Sequence, residues 1–311
     1  MFEAIIAAIQ DAHHIIIHRH HRPDGDAIGS QVGLKYLLTH NYPHKTVHIV
    51  GDDPGTLGFV EGAVMDDIPD TAYEGALALV LDCGGEGMVC DTRYTLAATT
   101  ARIDHHLYTG SFTDLEVIDS SFESCCGLIA ALAEEARWEL NPTAARALYL
   151  GMVTDSGRFR YDGTTARTHR LVARLVEQDF DRNELYRNLY ADDFEAKRLK
   201  AEYILRIRFT DRRVAYIYTT AEEAAASGKD TFTISRGMVN TMADIRGTDI
   251  WVNFTEADGG VLCEIRSSKY NINPIAVKYG GGGHAKASGA KVADRATAMA
   301  MLADLDQLTE E

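Results

Sequence analysis

The chain has 311 residues and 46% apolar content, enough for two domains with buried cores. Its 31 basic and 46 acidic residues leave a net charge of −15, which argues against a general membrane or nucleic-acid surface, since long duplex needs many basic contacts. No stretch reaches the length of a membrane span, and Met1-Phe-Glu-Ala lacks the basic start of a signal peptide. The five cysteines (83, 90, 125, 126 and 263) show no C-x-x-C pair, so a soluble cytoplasmic protein with reduced thiols is expected.

In chain order, residues 3–11 read as a short helix leading into a strand at 14–19. Helical periodicity returns at 28–39 (Ile28, Val32, Leu34, Leu37, Leu38), followed by a strand at 46–50. The continuous apolar run Ala76–Leu81 has the pattern of a strand covered on both faces. A short strand at 99–104 precedes helical patterns at about 126–139, 142–153 and 167–178. Such alternation implies a parallel sheet with crossover helices. Near residue 185 the chain turns into a charged helical stretch, which reads as a solvated linking helix at 191–206. Strand-like 213–218, helical 236–245, strand-like 249–254 and 261–266, a glycine-rich segment and a helix at 294–308 follow. The fold expected is α/β, with a parallel-sheet domain at 1–190 and a smaller mixed α/β domain at 207–311.

Chemistry gathers where these strands end. His20, Asp24 and Asp26 follow the first strand through a turn that Pro23 and Gly25 shape, the place where open α/β sheets hold ligands. An imidazole with hard carboxylates suits a divalent ion such as Mn²⁺, although Asp26 also reads as a helix N-cap. Asp82 ends a buried apolar run, which is costly for a carboxylate unless it is paired or metal-bound, so it reads as a bridging ligand. In Asp104-His105-His106 neighbouring side chains on a strand point to opposite sides. One imidazole is therefore expected on metal and the other toward substrate, with Asp104 orienting an imidazole. Asp155 supplies a final oxygen, and Arg158 and Arg160 bring positive charge nearby. Gly280, Gly281, Gly282 and Gly283 can turn successive N–H groups inward as an anion nest, and His284, Lys286 and Ser288 favour phosphate there. Arg236, in Ser235-Arg-Gly, is a weaker candidate for a substrate contact and reads equally well as a solvated surface arginine.

In sequence order, His20–Ser30, Asp82, Asp104-His105-His106 and Asp155 resemble motifs one to four of the DHH phosphoesterases. Gly280–Gly289 resembles the glycine-rich signature of the DHHA1 domain, so the resemblance spans essentially the whole chain. Its length is similar to the stand-alone nanoRNase/pAp-phosphatase group (NrnA-like); family II pyrophosphatases end in a different, lysine-rich domain. The resemblance implies two Mn²⁺ ions per active site, with Mg²⁺ or Co²⁺ as substitutes. His20 and Asp24 would hold one ion, Asp26, His105 and Asp155 the other, and Asp82 both. His106 would act as an acid or oxyanion stabiliser, and Arg266 and Ser267 would contact substrate. The expected substrates are 5′-phosphorylated RNAs down to dinucleotides, such as pApA, and 3′-phosphoadenosine 5′-phosphate (pAp). A pyrophosphatase, a cyclic or linear dinucleotide phosphodiesterase, or a non-catalytic nucleotide sensor are the alternatives. The sequence leaves room for a homodimer.

Overall fold

The computed structural model of the chain describes residues 1–309. The chain divides between Ala191 and Asp192 into two compact units. The first holds α1 (Glu3–Asp11), β1 (His14–His18), α2 (Gly25–Asn41), β2 (Thr46–Ile49), β3 (Leu77–Leu81), β4 (Thr99–Asp104) and β5 (Leu115–Ile118). Then come α3 (Cys125–Glu135), α4 (Pro142–Asp155), α5 (Ala166–Val176) and α6 (Arg182–Tyr190). The strands form one parallel sheet in the order β2-β1-β3-β4-β5. Alternate residues Ile15, Ile17, Leu77, Leu79, Ala101 and Ile103 join the helices in one core. On the opposite face Ile16, Ala78 and Val80 lie among Tyr73 and Tyr94 of irregular segments.

Two expectations change here. Only the β1–β2 connection is an α-helical crossover; β2 to β3 and β3 to β4 run through irregular chain with short 3-10 turns at 55–57, 70–73, 86–88 and 92–96. Glycine, proline and aspartate interrupt any 3.6-residue period there. The edge strand β5 is an addition to the expected strands: its four residues are all half-buried and leave little pattern.

Helix α2 starts three residues earlier than its apolar periodicity, capped by Asp24, whose carboxylate accepts N–H bonds from Asp26 (3.0 Å) and Ala27 (3.1 Å). The N-cap is therefore Asp24 rather than Asp26. Its first turns carry glycines at 25, 29 and 33, which give no hydrophobic signal. A Cβ on Gly29 would lie 2.5 Å from the Ala147 carbonyl oxygen, and one on Gly33 2.6 Å from the Leu148 side chain. Each interior glycine costs a helix about 1 kcal/mol. Here the stripe lets α2 lie directly on α4, which carries Asp155 at its end.

The second unit contains α7 (Phe194–Leu205), β6 (Arg208–Phe209), β7 (Ala215–Thr219), α8 (Ala221–Ala226), α9 (Thr231–Met238) and β8 (Ile250–Ala257). It continues with β9 (Gly260–Ser267), α10 (Asn273–Lys278), β10 (Gly282–Gly283), β11 (Ala287–Val292) and α11 (Arg295–Leu308). Its mixed sheet runs β10-β11-β9-β8-β7-β6, with only β7 and β8 parallel. Ala298, Met301 and Leu305 of α11 pack with Val252, Phe254 and Ile265. Tyr203, Ile234 and Met238 cover the other face at Ala215, Ile217 and Trp251. The charged stretch is thus two helices, α6 and α7, separated by extended chain that Asp193 turns into the cap of α7. Through Tyr203, α7 packs on this unit rather than standing as a solvated link.

Candidate metal centre

Five elements of the first unit deliver polar side chains to one place. The turn after β1 brings His20, the start of α2 Asp24 and Asp26, the ends of β3 and β4 Asp82 and His105–His106, and the end of α4 Asp155. Three overlapping groups result: His20 with Asp24 and Asp82; Asp26 with His105 and Asp155; and Asp82 with His105 and His106. Within each, the potential ligand atoms lie within 4.8 Å of one another.

Backbone carbonyls decide how the imidazoles face. His20 Nδ1–H donates to the His21 carbonyl oxygen at 2.9 Å, which leaves Nε2 toward Asp82 (3.4 Å) and Asp24 (3.7 Å). His105 Nδ1–H points at the Phe122 carbonyl oxygen at 3.4 Å, leaving Nε2 toward Asp155 (3.3 Å), Asp82 (3.6 Å) and Asp26 (3.7 Å). An outward bond that fixes one tautomer and turns the other nitrogen inward is how protein imidazoles are prepared for a metal. His106 is likewise held through Nδ1–H, but by a carboxylate, that of Asp104 at 2.7 Å.

The two imidazoles do not diverge as strand alternation suggests. Strand β4 ends at Asp104, the chain turns, and the His105 and His106 rings lie 4.7 Å apart on the same side. The Asp104 carboxylate also accepts the His106 backbone N–H at 3.3 Å, which fixes that turn. Hydrogen bonding to Asp104 raises His106 to about 9, against the opposing effect of burial.

Asp26 is buried at the N-terminus of α3, accepting N–H bonds from Cys125 (2.6 Å) and Cys126 (2.8 Å). Burial and the neighbouring carboxylates Asp82, Asp155 and Asp24 still push it well above the usual carboxylate range. Asp155 rises to about 7, chiefly through burial, with Asp82 and Asp24 adding to it and His105 opposing. For His20, burial favours the neutral form, but bonds to Asp24 and Asp82 outweigh it and hold the ring up at about 11. Asp82 itself adopts a left-handed backbone (φ 55°), and its Oδ1 is buried without a hydrogen-bond partner. Crowded carboxylates that take up protons, around a buried oxygen with no donor, fit a missing positive charge. The donor set, imidazole nitrogen with carboxylate oxygen, fits divalent transition metals.

A buried arginine that periodicity does not disclose braces two of these loops. Arg102 donates to the carbonyl oxygens of Gly110 (3.0 Å) and Cys83 (3.4 Å) and pairs with Glu116 (3.2 Å). Its only sequence signal is a cation inside a buried strand, Thr-Thr-Ala-Arg-Ile-Asp.

The other singled-out residues make different contacts. Arg158 sits in a left-handed turn (φ 64°) with its guanidinium 4.9 Å from the centre of the Tyr190 ring. The nest expected of four glycines does not form: only Gly280 (φ 77°) and Gly283 (φ 126°) are left-handed. The N–H groups of Gly280 and Gly281 close helix α10 on Val277 and Ala276, and that of His284 bonds to Ala287. Gly282 and Gly283 pair with β11, where a Cβ on Gly281 would meet the Gly289 carbonyl oxygen at 2.1 Å. Close backbone approach, rather than an open cradle, accounts for these glycines. Arg266 pairs with Glu264 (3.2 Å), and the Ser267 hydroxyl accepts the N–H groups of Lys269 (3.1 Å) and Tyr270 (2.7 Å) in a turn. The Ser288 hydroxyl donates to the His284 carbonyl oxygen at 2.8 Å, Lys286 bonds to the Lys269 carbonyl oxygen, and Arg236 lies 5.7 Å from the Phe232 ring centre.

Among the described residues no helix is long and apolar enough to cross a membrane, and all five cysteines are free. Residues 14–152 match the model of the DHH family N-terminal domain, and residues 214–311 that of the DHHA1 domain. The chain is 34% identical to the bifunctional oligoribonuclease and PAP phosphatase NrnA of Bacillus subtilis, over 96% of this chain and 95% of that one. A probable NrnA of Streptococcus mutans is 35% identical over 93% of each. The fold matches that of an exopolyphosphatase-related protein from Bacteroides fragilis with a TM-score of 0.88 at 24% identity, covering 100% of this chain and 97% of that one. Similarity of this extent makes the chain a member of the DHH–DHHA1 phosphoesterase family, in its NrnA-like group.

Proposed function

We propose that the protein hydrolyses short 5′-phosphorylated oligoribonucleotides to mononucleotides and pAp to AMP, using two Mn²⁺ ions, with Mg²⁺ or Co²⁺ as substitutes. The observation that carries this is the position of Asp82, its two oxygens turned toward His20 on one side and His105 on the other. His20 and Asp24 would hold one ion, Asp26, His105 and Asp155 the second, and Asp82 both. A pair of such ions activates water and offsets charge on a phosphoryl group.

The chain's own residues do the rest. His20 and His105 present Nε2 because their Nδ1–H groups are bonded outward. Asp26 keeps its orientation through two N–H bonds from α3. Asp104 accepts the His106 Nδ1–H and favours the charged ring, so the Nε2–H can give a proton to a leaving alkoxide or stabilise charge on a phosphoryl oxygen. Arg266, Ser267, Arg158 and the Gly281–His284 segment are proposed for substrate contacts. That role requires Arg266 to exchange Glu264 for a substrate phosphate. The free cysteines support a cytoplasmic location.

The test is hydrolysis of pApA, pAp, cyclic di-AMP and pyrophosphate by the metal-stripped protein with and without added Mn²⁺, products resolved by chromatography. AMP should appear from pApA and pAp only with metal. Faster turnover of pyrophosphate or cyclic di-AMP would assign the site to those substrates, and no turnover of any would leave a nucleotide sensor.

A further inference from the structure

Arg19 is among the largest fully buried side chains of the protein, and it immediately precedes His20. Its Nε donates to Gln31 Oε1 at 3.0 Å. Its Nη1 donates to the His20 carbonyl oxygen at 3.0 Å and to Asp52 Oδ1 at 2.6 Å, and its Nη2 donates to the Asp52 carbonyl oxygen at 2.5 Å. Gln31, wholly buried on α2, turns its amide N–H groups to the carbonyl oxygens of Ile17 (2.7 Å) and Val50 (2.8 Å), at the ends of β1 and β2. The other Asp52 oxygen accepts the backbone N–H of Arg22, a left-handed residue with φ 54°. Gly51 makes room for this: a Cβ there would lie 3.2 Å from the guanidinium.

Burying a guanidinium costs several kcal/mol before its partners offset it, and an apolar side chain of similar volume would fill the space more cheaply. The contacts say what the cation does instead. One rigid planar fork ties together the end of β1, the chain after β2, and the helix that carries Asp24 and Asp26. Asp52 extends that tie to Arg22, so the turn that delivers His20 is held from both sides. None of the three side chains faces the cluster of His20, Asp24 and Asp82 in any contact described, so they act on it through the backbone.

We infer that Arg19, Gln31 and Asp52 form a positioning network that sets His20 in its place opposite Asp24 and Asp82, an inference that rests on the two-metal reading proposed above. Residues that orient metal ligands from behind typically carry about 10–100-fold in metal affinity. The effect should fall mainly on the ion that His20 and Asp24 would hold, because the network grips the turn of His20, whereas Asp26 keeps its own N–H bonds from α3 and neither His105 nor Asp155 is touched.

The experiment is calorimetric titration of Mn²⁺ into the metal-stripped native protein and into Asp52→Asn, Gln31→Leu and Arg19→Lys variants. Asp52→Asn is the gentlest, since its side chain is 41% exposed and keeps its shape. One of the two binding steps should weaken about 10–100-fold while the other stays near native. In turnover of pAp the half-saturating Mn²⁺ concentration should rise by a similar factor, with KM for pAp at saturating metal unchanged. Arg19→Lys should not restore binding, because a single ammonium cannot serve Gln31, His20 and Asp52 together. Unchanged binding in all three variants overturns the inference and leaves the two-metal reading intact. So does equal weakening of both steps with a lower unfolding temperature of metal-free Asp52→Asn, which would mark a general structural role. A native protein that binds no Mn²⁺ overturns both.

Discussion

The candidate residues of the two units live under opposite electrostatic conditions. In the first, Asp26 and Asp82 are buried among other carboxylates, one held far above its usual range and the other with an oxygen that has no donor. In the second, Arg266 has Glu264, Ser267 has the N–H groups of its own turn, and the glycines have the end of α10 and β11. The first arrangement is costly to folding and makes sense only with something added. The second is satisfied as it stands, and any ligand there must displace existing partners.

The strongest way to break that contrast is Asp82→Ala. If Asp82 serves two ions, hydrolysis of every substrate should fall by more than the about 10²–10⁴-fold that one proton-transfer residue carries. The isosteric Asp82→Asn should lose activity equally yet raise the stability of metal-free protein by about 1 kcal/mol, because it removes a buried charge from beside Asp26. Denaturant titration with metal analysis checks both; a less stable Asp82→Asn would mean the carboxylate cluster is not under strain.

The histidine pair sharpens the picture next. His105→Ala should lose bound metal, whereas His106→Ala should keep it and slow turnover by about 10²–10⁴-fold. Because the two rings share one side, the alternative is concrete: equal metal loss in both would make His106 a ligand through the nitrogen not bonded to Asp104.

A smaller effect is expected in the second unit. The double variant Arg266→Ala, His284→Ala should turn over pApA about 10–100-fold more slowly, the range of one or two charged hydrogen bonds. It should also lose most of the advantage of the substrate's remote 5′-phosphate. Bis-p-nitrophenyl phosphate should be hydrolysed at the native rate, and equal loss on both substrates would assign these residues to folding or to the metal site.

The mildest test is pH. Asp155 titrates near 7 in the folded, metal-free protein and near 3.8 when unfolded. The folded state therefore keeps a proton the unfolded chain has released, and stability falls as pH rises from about 4 to 7. His20, raised from 6.5 to about 11, extends the decline above pH 6.5. Metal must displace both protons, so Mn²⁺ affinity should climb with pH over the same span. Thermal melts with and without Mn²⁺ across pH 5–9 would show it; a metal-free protein that gains stability over this range contradicts the proposed electrostatics.

The first unit's ligand candidates were legible because each is local: a carboxylate or imidazole directly after an apolar run. What holds them was not. Asp26 is held by N–H groups about 100 residues away in sequence, and Arg19 finds Asp52 33 residues on. No period or spacing announces such pairs. Strand alternation gives the wrong direction for His106 because β4 stops at Asp104, two residues before it. In the second unit α8, α10 and β11 leave little trace in the sequence, since elements of six residues carry almost no periodicity. The glycine run was visible, but composition alone does not separate an anion cradle from a tight backbone crossing.

The glycines of α2 have a practical consequence for anyone who would engineer this protein. A routine stability programme replaces helical glycines with alanine and expects a gain at each. At position 29 the added methyl would drive into the Ala147 carbonyl oxygen, and at position 25 it would strike Thr154, one residue before Asp155. The better helix former would wedge α2 from α4 and move Asp26 away from Asp155. Thermostabilisation by propensity would here trade a sturdier helix for a wider gap between two acids that have to meet.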